Sequence, residues 1–282
     1  MKETSRRNAL KLGLGAAALW TTGLRLPGAI AAGAKKIPIG LQLYSVRADC
    51  AKDLPGVLSA VGKMGYQGVE FAGYYGRDAA TLRKLLDDNG LKCCGTHIGL
   101  KTLEGEALKQ TVAFNHTLGN KNLIVPSLPK DKTSSRQGLV DTAKLFTELA
   151  AKVKDEGMRV GYHAHGGDFQ KFDGETHWDI FFGNAGPEVA MQLDIGNCLD
   201  GGGDPIAILK KFPGRALSIH VKEHGGKKGA AIGEGEVDWK TIFELCETFG
   251  GTVWYIAEQE SYAMPPLECV AQCLKNLRKM GK

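Results

Sequence analysis

The chain alternates short apolar runs with longer stretches of helical periodicity, eight times over. The runs fall near Ile37–Tyr44, Gly68–Phe71, Leu91–His97, Asn122–Pro126, Arg159–His165, Val189–Asp194, Ala216–Val221 and Thr252–Glu258. Between them, Leu54–Met64 puts Leu54, Val57, Leu58 and Val61 on one face, and Leu139–Val153 and Leu267–Leu277 repeat apolar residues at three and four. Asp78 and Asp238 read as helix N-caps, and Asp204 precedes a proline suited to a first helical turn. Gly65, Gly90 and Gly157 follow helical stretches as C′ glycines do. Eight βα units in one domain-length chain predict a closed parallel (β/α)8 TIM barrel forming a single domain. An open doubly wound sheet is the alternative. Against it, no Gly-x-Gly-x-x-Gly turn follows the first run, which leads into Gln42-Leu43-Tyr44-Ser45-Val46-Arg47 instead.

The first 34 of the 282 residues do not fit this pattern. A charged start containing Arg6-Arg7 and Lys11 leads into a mainly apolar Leu/Gly/Ala stretch and then Ala-Ile-Ala-Ala-Gly-Ala. This reads as a bacterial twin-arginine-type signal peptide over residues 1–34, although Ala9 stands where a larger apolar residue is usual. An uncleaved membrane anchor is the alternative, but the apolar run is short and broken by Arg25. The barrel domain is then residues 35–282, close to the roughly 250 typical of such barrels. The expected location is the periplasm or another exported compartment, reached through the twin-arginine export machinery. The leader carries Lys2, Arg6, Arg7, Lys11 and Arg25 against Glu3, so most of the formal +5 charge belongs to it. No long basic run remains elsewhere, which argues against nucleic acid as a partner. Seven cysteines form no paired zinc framework and read as small buried apolar side chains.

Several apolar runs end on residues of metal-ligand type. His163, Asp194, His220 and Glu258 each close such a run and precede loop-like or helix-like sequence. A parallel barrel gathers the C-terminal ends of its strands at one mouth, so these four can converge on one ion. Mixed imidazole and carboxylate donors suit a divalent Mn, Co, Zn or Fe. His163 and His165, one residue apart, point to the same side of a strand. Asp194 ends a buried run, where a lone charge is costly unless paired or coordinated; capping the next turn is the alternative role. Lys222 is placed to position or polarise a substrate oxygen. Glu70 and His97 end the second and third runs and face the same mouth.

These residues resemble a family. Gly40-Leu41-Gln42-Leu43-Tyr44-Ser45-Val46-Arg47, Tyr162-His163-Ala164-His165, Gln192-Leu193-Asp194-Ile195-Gly196-Asn197, His220-Val221-Lys222-Glu223, the Gly233–Asp238 loop and Glu258-Gln259-Glu260 are together similar to the xylose isomerase-like TIM barrels of the sugar phosphate isomerase/epimerase group. The resemblance covers essentially all of residues 35–282. In epimerases of that group one divalent ion is held by Glu, Asp, His and Glu on strands 5 to 8. By position these are His163, Asp194, His220 and Glu258, so an imidazole stands where the group has a carboxylate. Asn197 stands where many relatives have His, and its amide suits a substrate oxygen better than a transition metal.

The resemblance implies a metal-dependent enzyme acting on a small-molecule sugar or keto-sugar. The ion would act as a Lewis acid on adjacent hydroxyl and carbonyl oxygens, a base would take the proton beside the carbonyl, and the ion would stabilise the enediolate. Glu258, His163 and His165 are the candidate bases; Glu70, His97 and Asn197 are the candidate substrate contacts. Isomerase, epimerase and dehydratase or lyase outcomes differ only in the later steps, and loss of the strand 5 Glu with export favours elimination. Export also argues against a sugar phosphate. A sugar-binding barrel without chemistry is the alternative. An abasic-site endonuclease is a remote one, since that chemistry needs extra His ligands where this chain has Asn197. Dimers are common on this barrel, and a homo-oligomer is left open.

Overall fold

A computed structural model describes residues 36–172 and 174–282. The export signal expected over residues 1–34 lies outside the described residues. All eight expected strands form. They are β1 (Ile39–Gln42), β2 (Gly68–Ala72), β3 (Lys92–His97), β4 (Asn122–Val125), β5 (Arg159–His163), β6 (Ala190–Asp194), β7 (Ser218–Val221) and β8 (Trp254–Ala257). Every neighbouring pair is parallel, and β1 pairs with both β2 and β8, which closes the barrel. A two-stranded ribbon, Lys171–Phe172 with Glu175–Thr176, decorates the loop after β5.

Strand edges are shorter than the apolar runs because hydrogen bonding ends before hydrophobicity does. β7 and β8 each begin two residues late, and Leu43–Val46 turns into a 3-10 helix after β1. The first helix spans Arg47–Met64 but breaks at Asp53, whose φ of −151° is extended. Asp53 Oδ1 accepts from Gly56 N, so the regular part starts near Pro55, where proline costs no hydrogen bond. Both expected N-caps form, Asp78 and Asp238 accepting from the amides of Thr81 and Thr241, and Asp204 caps the helix that its proline begins by accepting from Ala207 N. All seven cysteines are free.

The alternation along each strand divides the molecule. Leu41, Val69, Phe71, Leu123, Val125, Val160, Tyr162, Met191, Leu193, Ile219, Val221 and Tyr255 are buried between the barrel and its helices. This layer is the hydrophobic core, and burial of each large side chain contributes about 1.5–3 kcal/mol. The positions between them face the barrel axis. Near the base these are small, with Gly40, Gly68, Gly161 and Ala190, and the ring of Trp254 packs where Gly68 has no Cβ. Higher up they are polar: Gln42, Glu70, Gln192, Asp194, Ser218 and His220 are all buried.

One irregularity decides what reaches the axis. Val69 pairs with Cys93 but Glu70 pairs with Gly95, so Cys94 is an extra residue in β3. A bulge of this kind reverses the facing of everything after it. It puts Gly95 and His97 inside, beside Glu70. A Cβ on Gly95 would overlap Glu70 Oε1, so only glycine leaves space for that carboxylate.

We predict that Gly161→Ala destabilises the barrel by about 1–3 kcal/mol, as overpacking does. The new Cβ would lie 2.7 Å from both Ala190 O and Ile124 Cδ1, and the carbonyl cannot rotate away. Urea unfolding measures it; an unchanged midpoint would contradict the close approach.

Candidate metal centre

At the C-terminal mouth, the ends of β5, β6, β7 and β8 bring His163, Asp194, His220 and Glu258 together. One donor atom from each lies within 4.8 Å of the others. All four side chains are buried. His220 sits at the centre. Its Nδ1 is 3.0 Å from Glu258 Oε2 and 3.8 Å from Asp194 Oδ2, while its Nε2 is 2.7 Å from Glu70 Oε2.

Asp194 has two roles, one for each oxygen. Oδ1 accepts from the amide of Asn197 and caps the helix Ile195–Asp200. Among the described residues Oδ2 has no hydrogen-bond partner, and neither does His163 Nδ1. Buried polar atoms without partners are rare and costly. Two of them in one four-donor cluster fit a divalent cation at its centre. The donor set of two imidazoles and two carboxylates suits a transition ion.

Glu70, expected as a substrate contact, is instead enclosed below the cluster. It is fully buried and accepts from Gln42 Nε2 at 2.8 Å, Gln192 Nε2 at 2.8 Å and His220 Nε2 at 2.7 Å, with His97 Nε2 at 3.1 Å. With both oxygens engaged, it acts on His220 and not on a ligand. A carboxylate holding one imidazole nitrogen directs the other at the ion, which fixes the tautomer. His97 does reach the pocket, and its Nε2 is 2.7 Å from Gln192 Oε1.

The remaining expected residues ring the mouth. His165 is exposed, and its ring meets that of His163 edge-on at 4.8 Å. Asp168 holds it in place: its carboxylate accepts from the His165 amide and from Tyr162 Oη, each at 2.7 Å. Lys222 donates to Asn197 Oδ1 at 2.9 Å and pairs with Glu260, and it lies 4.0 Å from Asp194 Oδ2. Asn197 is thereby committed, since its Nδ2 donates to Ala164 O at 3.0 Å. It braces Lys222 rather than offering a free amide to a ligand.

Charge follows from these contacts. Burial alone would lower the His220 pKa, but Glu258 and Glu70 on either side outweigh this and raise it to about 10. Burial raises Glu258 and Glu70, yet His220 and, for Glu70, His97 bring both below the usual carboxylate range. Burial, then Glu258 nearby, holds Asp194 well above that range despite Lys222. Burial and the neighbouring imidazoles keep His163 neutral. Partial desolvation also lowers His165.

Gln42, Gln192, Asp168 and Tyr44 were not singled out by the sequence. Gln42 ends β1 as the ligands end theirs, and Gln192 stands two residues before Asp194 on the same strand face. Those positions were the available signal, but neutral amides do not announce a burial cost.

Parallel closure with convergent donors at the C-terminal mouth defines a TIM barrel with a metal-type centre. The chain belongs to the xylose isomerase-like TIM barrel family, whose model matches residues 58–280. It is 26% identical over 270 residues to inosose dehydratase of Klebsiella pneumoniae, covering 79% of this chain and 88% of that one. A sugar phosphate isomerase/epimerase from Parabacteroides distasonis superposes with a TM-score of 0.76 at 25% identity, covering 86% and 98% of the two chains. The IOLI protein, solved with a bound zinc atom, shares the fold with a TM-score of 0.62 at 14% identity over 86% and 97%.

We predict that His220→Ala abolishes tight ion binding, and that Glu70→Gln weakens it about 10–100-fold, the usual effect of losing such a partner. Calorimetric titration of the ion-stripped chain with Zn or Co checks both. Wild-type affinity in Glu70→Gln would contradict the orienting role.

Proposed function

We propose that this protein is a metal-dependent enzyme that takes a proton from the carbon beside the carbonyl of a keto-sugar or keto-cyclitol and then eliminates water. The observation that carries this is the four-donor cluster with two partnerless buried atoms, at the floor of a pocket rimmed by neutral His165. The likeness to an inosose dehydratase over 88% of that protein's length supports elimination over isomerisation or epimerisation.

The chain's own groups divide the work. A divalent ion held by His163, Asp194, His220 and Glu258 would supply Lewis acidity toward the oxygens of a bound ketone. Of the three candidate bases, His165 suits the proton transfer. It is neutral near pH 7 and exposed at the mouth, whereas His163 and Glu258, which also line the pocket, are buried and Glu258 is tied to His220. The α-proton passes to the His165 imidazole. The β-hydroxyl then leaves, the imidazolium returns a proton to it, and the products are an unsaturated ketone and water. Lys222, 4.0 Å from Asp194 Oδ2, adds positive charge beside the cluster. The imidazole in place of a strand 5 carboxylate argues against proton exchange between two carboxylates, which is why elimination is preferred.

Incubation of the full chain with 2-keto-myo-inositol in deuterated water, followed by NMR, tests this. Deuterium should enter beside the carbonyl and water should be lost, and both should stop with chelator or in Glu258→Gln, which we expect to be at least about 100-fold slower. Exchange without loss of water would mean isomerisation or epimerisation. Binding without exchange would mean a sugar-binding barrel.

A second prediction concerns pH. The base must be unprotonated, and desolvation lowers His165 from its ordinary 6.5. The acid limb of kcat/KM should therefore lie below pH 6.5, and His165→Gln should remove it. A limb above pH 7 that survives this substitution would assign the base elsewhere.

A further inference from the structure

The pocket over the cluster is divided by polarity. Its volume is about 390 Å³. The ends of β1, β2 and β4 contribute Tyr44, Ala72, Gly73 and Pro126, and the end of β3 adds Ile98 and Gly99 beside His97; the ends of β5, β6 and β8 contribute His163, His165, Asn197, Glu258 and Glu260. Among the described residues no Lys or Arg lines it, while two carboxylates do. Lys222, beside the cluster, is engaged by Asn197 and Glu260.

Tyr44 stands out on the apolar side. It is 41% exposed, where a large side chain gains least from folding. Yet it is held firmly. Its amide donates to Gln42 Oε1 at 3.0 Å. The Arg47 guanidinium lies over one face of the ring, 4.2 Å from the centroid. Arg47 is itself fixed by Tyr44 O at 2.9 Å and Tyr262 Oη at 3.2 Å, and Tyr262 Oη donates to Ser45 O at 2.8 Å. One ring face is thus closed by a cation, and the ring lines the pocket. Through Gln42, which also donates to Glu70, the backbone that carries this ring joins the network that orients His220.

We infer that Tyr44 is a stacking platform, and that the site takes a neutral, hydroxylated six-membered ring lying with its C–H face on Tyr44 and its oxygens toward the cluster. Such rings carry C–H bonds on one face and hydroxyls around the edge, which matches the division of the walls. An aromatic face binds C–H surface at small entropic cost when it is already immobile. A phosphorylated open-chain sugar would find no Lys or Arg on the pocket wall to pair with its phosphate. This inference rests on the keto-sugar reading above and narrows it to a cyclic, uncharged substrate.

Calorimetric titration of the ion-loaded full chain with 2-keto-myo-inositol and with D-fructose 6-phosphate tests it, in wild type, Tyr44→Phe and Tyr44→Leu. The neutral ring should bind at least about tenfold tighter than the phosphate. Tyr44→Phe should stay within about twofold of wild type, and Tyr44→Leu, which keeps the bulk without the π-face, should lose about three- to tenfold. KM should rise with kcat little changed, and bound ion should stay the same. Equal or tighter binding of the phosphate overturns the neutral-ring assignment, and wild-type affinity in Tyr44→Leu overturns the platform. A fall in kcat in Tyr44→Phe also overturns it, since the hydroxyl would then be the working group. Tyr44-dependent binding without proton exchange would sink the catalytic reading and leave the platform standing. Binding of neither compound overturns both.

Discussion

His220 sits in the middle of a closed barrel with a carboxylate on each ring nitrogen. Glu70 holds Nε2 from below and Glu258 approaches Nδ1 from above. Burying charged groups this deeply is unfavourable unless each has partners, and removing one partner of such a set leaves another stranded. The surrounding sequence meets that condition. Gln42 and Gln192 donate to Glu70, the bulge at Cys94 brings His97 against it, and Gly95 leaves it room. The barrel interior at this height is a polar network in which nearly every group is engaged. The two atoms without partners, on His163 and Asp194, are those an ion would meet.

That network explains why the mouth can be chemically active while the fold stays rigid. The hydrophobic core lies in a different layer, between strands and helices, so the axis is free to carry polar groups. Positions reached from the mouth face two ways. Downward they meet Glu70 and its amide donors. Upward they meet His165, braced by Asp168, and Lys222, braced by Asn197 and Glu260. Rigid support of this sort lets a weakly basic imidazole and an ammonium stand near one another without collapsing onto the cluster.

Much of this could be read in the sequence, for identifiable reasons. Parallel strands buried on both faces give continuous apolar runs, so all eight were visible, and Asp78, Asp204 and Asp238 marked helix starts because capping needs a side-chain acceptor. His163, Asp194, His220 and Glu258 were visible because a charged or imidazole side chain closing an apolar run is conspicuous. Glu70 was visible too, but its role was not. Whether a strand-end carboxylate faces a ligand or a neighbouring imidazole depends on its height along the axis, and that is set by register. The bulge that turns His97 inward leaves no compositional trace beyond Gly95. Gln42 and Gln192 carry no charge to signal their burial, and Tyr44 looked like part of a motif rather than a wall. Asn197 was placed correctly at the mouth, yet the two partners that occupy its amide come from the neighbouring strands, 33 and 25 residues away in sequence.

The central claim is that two imidazoles, His163 and His220, share one ion with Asp194 and Glu258. X-ray absorption at the cobalt edge of the full chain loaded with one equivalent of cobalt measures this most directly. The account predicts backscattering from two imidazole rings per ion, with oxygen donors completing the shell. A single imidazole, an oxygen-only shell or failure to take up the ion would contradict it.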